Sequence, residues 1–242
     1  MKRFWTEVSI DADRSIRLDA RPVRTPGRAP LAVPTAALAA AIAEEWRAVG
    51  ETIDPRAMPL TGLANAAIDR VAAIPGDFAA GLVRYAENDL LCYRADGPTP
   101  LIARQAAAWD PLLDWASRRY DVHFTIVAGI MHRPQPPATI ARLAEAVASR
   151  DAFHLAPLSP LVTLTGTLVG ALALAEHAVD ADSLWAAAMV DEDWQSEQWG
   201  EDTLATQVRT AKRHDFDAAA RFLALLDADR MSENPRSASF TH

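Results

Sequence analysis

The chain has 242 residues, half of them hydrophobic, and its 32 acidic residues against 24 basic ones give a formal net charge of −8. A chain of this length and composition buries roughly 70–75% of its unfolded surface, which excludes a disordered chain and predicts one large domain or two smaller ones. The acidic balance, with a pI near 5.2, speaks against wholesale binding to nucleic-acid backbones or anionic membranes, which need a basic face.

Residue usage narrows the chemistry further. The single cysteine, Cys92, can form neither an internal disulfide nor a thiolate zinc site and suits a reducing compartment. Only Lys2 and Lys212 are lysines, and neither a G-x-x-x-x-G-K-[ST] nor a G-x-G-x-x-G string occurs, so no nucleotide cofactor is expected. Met1 to Glu7 lacks the apolar core of a secretory signal, which points to the cytoplasm.

In chain order, the first 34 residues alternate apolar and polar positions from Phe4 to Ile10 and again from Ile16 to Val23, with turn residues between, and predict a small antiparallel sheet of net charge +3. After Pro34 the period changes. Thr35 is a candidate N-cap, and Leu38, Ile42, Trp46 and Val49 recur at helical spacing up to Gly50. Prolines 55 and 59 mark an extended junction. Beyond it Thr61 opens a helix bearing Leu63, Ala67 and Val71, Pro75-Gly76-Asp77 opens another, and Leu101 to Arg119 forms a third with a kink or boundary at Pro111. Val122, Phe124 and Ile126 predict a short strand, and Ala138 to Ser149 a helix. Leu161 to Ala175, entered through Ser159-Pro160, reads as a buried helix of about 15 residues, too short to span a bilayer, with Gly166 and Gly170 as close-packing positions. The segment 231–242 reads as a flexible tail.

The 27 residues from Glu176 to Asp202 hold nine carboxylates and no Lys or Arg, a formal −9 that exceeds the charge of the whole chain. Ser183 to about Val208 reads as one helix capped by Asp182. On it Trp185, Met189, Glu192, Ser196, Trp199 and Thr203 share a face, which sets Glu192 between bulky apolar groups. Two readings stay open: a solvated acidic face with Glu192 paired to an Arg of another helix, or a partner surface in which apolar groups supply energy and charge supplies selectivity. No H-E-x-x-H or G-x-S-x-G string occurs, the six histidines lack metal-ligand spacing, and Cys92 stands in the apolar context of a core residue. No catalytic, cofactor or metal residues are therefore assigned.

Eight strings in order then resemble one family. They are Arg3-Phe4-Trp5; Leu18-Asp19-Ala20-Arg21-Pro22-Val23-Arg24-Thr25-Pro26; Glu44-Glu45-Trp46; Ile53-Asp54-Pro55 with Met58-Pro59-Leu60-Thr61; Asn65 with Ile68-Asp69; Asp89-Leu90-Leu91-Cys92-Tyr93-Arg94; Gln105 with Trp109-Asp110-Pro111-Leu112; and Gln195 with Trp199-Gly200-Glu201. The family is that of the assembly chaperones of the ATP synthase F1 sector that act on the alpha subunit, and the resemblance spans roughly residues 3 to 210.

The resemblance implies an α+β protein: a small N-terminal antiparallel β domain with one helix (1–58), an all-helical C-terminal domain (59–230) and the tail (231–242). It further implies a bacterial, cytoplasmic homologue without a transit peptide, an activity that is not enzymatic, and the F1 alpha subunit as partner, with neither nucleic acid nor stable membrane insertion. The partner-binding set it points to is Asp191, Glu192, Asp193, Gln195, Trp199 and Glu201, with Glu192 singled out among the first three. The rival reading is a carboxylate-dependent hydrolase or small-ligand enzyme using Glu192 with a distant Asp or His. A nucleic-acid adaptor built on the +3 region conflicts with the overall acidity.

Overall fold

A computed structural model describes residues 2–129, 131–200 and 203–233. The early alternation becomes a three-stranded antiparallel sheet, β1 (Val8–Ile10), β2 (Ile16–Leu18) and β3 (Arg21–Pro22), in that spatial order. Val8 pairs with Leu18 and Ile10 with Ile16, so Val8, Ile16 and Leu18 are buried on the sheet. The β2–β3 hairpin turns at Asp19, whose φ of 52° lies in the left-handed region that Asp tolerates. Its carboxylate accepts the N–H groups of Thr6 and Glu7 at 3.0 and 2.9 Å, tying the hairpin to the chain entering β1. Pro22 needs no ladder donor because β3 is an edge strand.

So small a sheet needs a cover, and α1 (Ala36–Ala48) supplies it. The Thr35 hydroxyl caps α1 by accepting the Leu38 N–H at 3.2 Å, Leu38 and Ile42 are fully buried, and Trp46 meets Trp5 edge-on at 5.4 Å. The next helix, α2 (Pro59–Ala66), begins at Pro59 and not at Thr61. Its cap comes from a distance: the Glu45 carboxylate of α1 accepts the N–H groups of Leu60 and Thr61, each at 2.8 Å, and the Thr61 hydroxyl at 2.7 Å. A π-turn (residues 67–71) follows. On it, Asp69 accepts the Thr25 hydroxyl at 2.6 Å and the Gly27 N–H at 2.7 Å. A Cβ at Gly27 would lie 2.6 Å from the Asp69 carboxylate, so a larger residue there would have to push that carboxylate aside.

By packing, the chain forms two compact units. Of the described residues, the first comprises 2–74, Ala152–Pro157 and 221–233, and the second comprises those within Pro75–Asp151 and Leu158–Ala220. In the second, α3 (Pro75–Val83) packs on α5 (Pro137–Ala148), while α4 (Thr99–Tyr120) packs on α7 (Leu168–Ala175), α8 (Ala181–Ala188) and α9 (Val190–Trp199). The small sheet followed by helices is the fold class the sequence predicts.

Three expectations differ in detail. Residues 122–126 do not form a strand, because the Gln135 side-chain amide takes both backbone groups of Thr125 at 2.9 Å. Pairing starts only at β5 (Val127–Ala128), parallel to β4 (Tyr93–Arg94). Helix α4 runs unbroken through Pro111. The apolar run 161–175 divides into α6 (Ala152–Thr165), which contains Pro157 and Pro160, and α7. Gly166, at φ 70°, terminates α6 in place of packing closely, and the Thr167 hydroxyl caps α7 by accepting the Gly170 N–H at 2.9 Å. Gly170 does pack closely: a Cβ there would come within 2.5 Å of Leu184 Cδ1 and 2.7 Å of Thr167 Cγ2. Gly170→Ala is therefore expected to destabilise by about 1–3 kcal/mol, read as a lower urea midpoint at unchanged m-value.

Among the described residues no helix is long and apolar enough to cross a membrane. Residues 231–233 close α10 (Thr203–Glu233), and the remainder of the expected tail lies outside the described residues.

Candidate functional site

The single helix expected from Ser183 to about Val208 falls instead on three, α8, α9 and the start of α10. Asp180, not Asp182, caps α8, accepting the Ser183 N–H at 2.7 Å. The chain leaves helical geometry at Met189 (φ −98°, ψ 5°) and again at Gly200, whose φ of 87° with ψ 166° is accessible only to glycine. Gly200 is the legible stop signal for α9. The break at Met189 resets the register. Trp185 and Met189 are buried, with Trp185 against Phe216 of α10 at 5.1 Å, whereas Glu192 and Trp199 face solvent. Glu192 is thus not wedged among apolar groups.

Each described carboxylate of α9 has a partner on a neighbouring helix. Asp191 accepts the Gln105 side-chain N–H of α4 at 2.7 Å, and Glu197 accepts Arg104 of α4 at 2.7 Å. That hydrogen bond holds the Glu197 carboxyl below the usual carboxylate range, while the Arg104 guanidinium also lies 5.0 Å over the Trp194 ring. On the other flank, Asp193 pairs with Arg209 at 2.5 Å and Glu192 with Lys212 at 3.8 Å, both cations belonging to α10. The partner of Glu192 is therefore a lysine, one of only two in the chain.

Between α9 and α10 lies an open cleft of about 840 Å³. Its α9 wall presents Glu192, Asp193, Gln195, Ser196 and Trp199, and its α10 wall presents Val208, Arg209 and Lys212. Trp199 is 78% exposed and Val208 48%, apolar groups lining the cleft beside these charges, and Leu204, one turn before Val208 on α10, is 67% exposed. Of the expected partner-binding residues, Glu192, Asp193, Gln195 and Trp199 line the cleft, Asp191 turns to Gln105 beneath it, and Glu201 lies outside the described residues. Leu204 and Val208, one turn apart on α10, and the basic pair Arg209 and Lys212 escape the sequence reading because that reading ran one helix through Gly200.

The site stands on a buried framework. Gln105 is itself buried, donating to Asp191 and accepting the Ala95 N–H at 2.8 Å. Trp109, fully buried, donates its indole N–H to the Ala187 carbonyl of α8 at 2.7 Å and lies under the Arg94 guanidinium at 5.1 Å. Trp115 is only half-buried and lines a shallow apolar groove between α4 and α8. Asp89, with no exposure, accepts the N–H groups of Leu91 at 3.1 Å and Val169 at 3.0 Å, locking the turn before β4 to the start of α7.

This arrangement is suited to binding. Glu192 and Asp193 face cations, and among the described residues no histidine lines the cleft. Cys92 is fully buried, and its thiol is pushed up to about 12, by burial first and by the Asp89 charge second, the state of a core residue. Among the described residues no group of three or more His, Cys, Asp or Glu could hold a metal ion.

Residues 2–117 match the ATP12 chaperone protein family. The crystal structure of Atp12 from Paracoccus denitrificans superposes with a TM-score of 0.87 at 43% identity, covering 93% of this chain and 98% of that one. An Asp-to-Lys mutant of the P. denitrificans protein gives 0.89 at 43% identity, covering 93% of this chain and 97% of that one. The Atu1473 protein from Agrobacterium tumefaciens gives 0.88 at 40% identity, covering 93% and 86%. A shared fold at this identity over nearly the whole length of both chains leaves one assignment: the chain belongs to the ATP12 chaperone family.

Proposed function

We propose that the chain is a cytoplasmic assembly chaperone of the F1 sector of ATP synthase, which binds the unassembled alpha subunit and shields its beta-facing surface until the hexamer forms. The observation that carries this reading is the pair of exposed apolar side chains, Trp199 and Val208, lining a cleft edged by Glu192, Asp193 and Gln195. A subunit destined for an obligate ring exposes a large apolar interface and aggregates unless it is covered, and a chaperone needs apolar surface of its own to cover it. Tryptophan is the residue type most able to anchor such a contact. Carboxylates at the rim select basic groups on the partner, and a modest open patch leaves the affinity low enough for beta to take over. Asp191 serves this surface indirectly, by fixing α9 to Gln105.

The test uses the full chain and purified alpha subunit. Trp199→Ala is expected to weaken binding about 10- to 30-fold, on the scale of an interface anchor, while leaving the melting temperature unchanged because the ring is exposed. Undiminished binding by a folded variant rejects this cleft as the alpha-binding site.

A further inference from the structure

We propose that the segment of the alpha subunit entering the α9–α10 cleft presents a basic side chain beside apolar ones, and that Arg209 and Lys212 are the chaperone's own stand-ins for that basic group, occupying Asp193 and Glu192 until the segment displaces them. The inference rests on the reading that this cleft holds alpha.

Four observations converge on it. First, the pairs sit in the cleft wall itself: Arg209 on Asp193 at 2.5 Å and Lys212 on Glu192 at 3.8 Å, next to the exposed Trp199 and Val208. Second, all four side chains are 36–51% exposed, and ion pairs at that exposure contribute little net stability, so exchanging one cation for another is nearly neutral. Third, the other two α9 carboxylates do not line the cleft, Asp191 being bound to the buried Gln105 and Glu197 to Arg104 over Trp194, so an exchange within the cleft is confined to Glu192 and Asp193. Fourth, residues 176–220 hold eleven acidic residues against three basic ones, a net −8 in which Arg209 and Lys212 are two of the three. The field around the cleft therefore attracts cations even with the stand-ins in place.

A tethered internal competitor lowers affinity without lowering selectivity, because it is always present at high effective concentration yet gives way to a cation that brings an apolar anchor with it. A holding chaperone that must later release its client gains directly from such a device.

The test measures equilibrium binding of purified alpha subunit to the full chain and to an Arg209→Gln/Lys212→Gln double variant, with Glu192→Gln/Asp193→Asn as the opposite change. The double variant is expected to bind three- to tenfold more tightly, a range about that of one or two exposed pairs, and the carboxamide variant more weakly. Equal or weaker binding by the folded double variant, with the unmodified chain binding alpha, overturns the stand-in role and leaves the proposed function standing. Absence of binding by the unmodified chain removes both. Should the double variant fail to fold, Lys212→Gln alone, which breaks the longer pair, decides the matter: a gain in affinity supports the role and no gain overturns it.

Discussion

Asp89→Ala is expected to lower the unfolding free energy by about 2–4 kcal/mol, because it strands buried backbone N–H groups whose desolvation then goes uncompensated. The carboxylate accepts from Leu91 and Val169, and the Thr167 hydroxyl and Leu168 N–H also face it. Burial nevertheless dominates and raises the carboxyl to about 6, the hydrogen bonds offsetting only part of that shift. A folded-state value above the unfolded one, near 3.9, means that the native state takes up the proton first. The associated stability is fully present below about pH 4 and is lost as pH rises through about 6, a change of order 3 kcal/mol at most. Other carboxylates such as Asp19 and Asp180 are shifted downward by backbone N–H bonds and push the other way, so the effect is isolated by difference. The stability of wild type minus that of Asp89→Asn, from urea unfolding at pH 4, 5, 6 and 7, should fall across this range. A flat difference would show that the native carboxyl titrates normally.

Trp109→Ala is expected to cost about 3–5 kcal/mol, the range for deleting a large fully buried aromatic side chain. Its ring fills the space under Arg94, and its N–H satisfies the Ala187 carbonyl, so the substitution both opens a cavity and strands a buried acceptor between α4 and α8. Trp109→Phe keeps most of the ring and removes the donor, for a smaller loss of about 1–2 kcal/mol. Guanidinium unfolding of the two variants orders them, and a Trp109→Ala loss below 1 kcal/mol would contradict the core role. Because α8 leads directly into α9, the alanine variant should also weaken alpha binding, whereas Trp199→Ala weakens binding alone.

What the sequence reveals and conceals divides along physical lines. The Thr35 cap, the Asp19 hairpin, the buried face of α1 and the change from a period of two to one of 3.6 are local signals, and each is found where the residues place it. Contacts made across long stretches of chain are not local. The Gln105–Asp191 and Arg104–Glu197 bonds join residues 86 and 93 positions apart, and no periodicity announces them. The mixture of acid and tryptophan that marks α9 was legible. The kink at Met189 was not, since buried contacts hold that residue and neither Gly nor Pro announces it. Gly166 and Gly200 show the opposite failing, because both were visible in the sequence and yet terminate helices that hydrophobic spacing alone would continue.

The capping of α2 by Glu45 makes the rotational phase of α1 a determinant of where the next helix starts. With about 100° of rotation per helical residue, one residue inserted into α1 ahead of Glu45 would swing its carboxylate off Leu60 and Thr61, whatever the length of the connection. The connecting residues 49–58 tolerate changes of length comparatively well, since loop closure depends only weakly on length. Insertions and deletions among relatives should therefore collect after Ala48 and avoid the two turns before Glu45, so that helical phase carries the positional information across the junction.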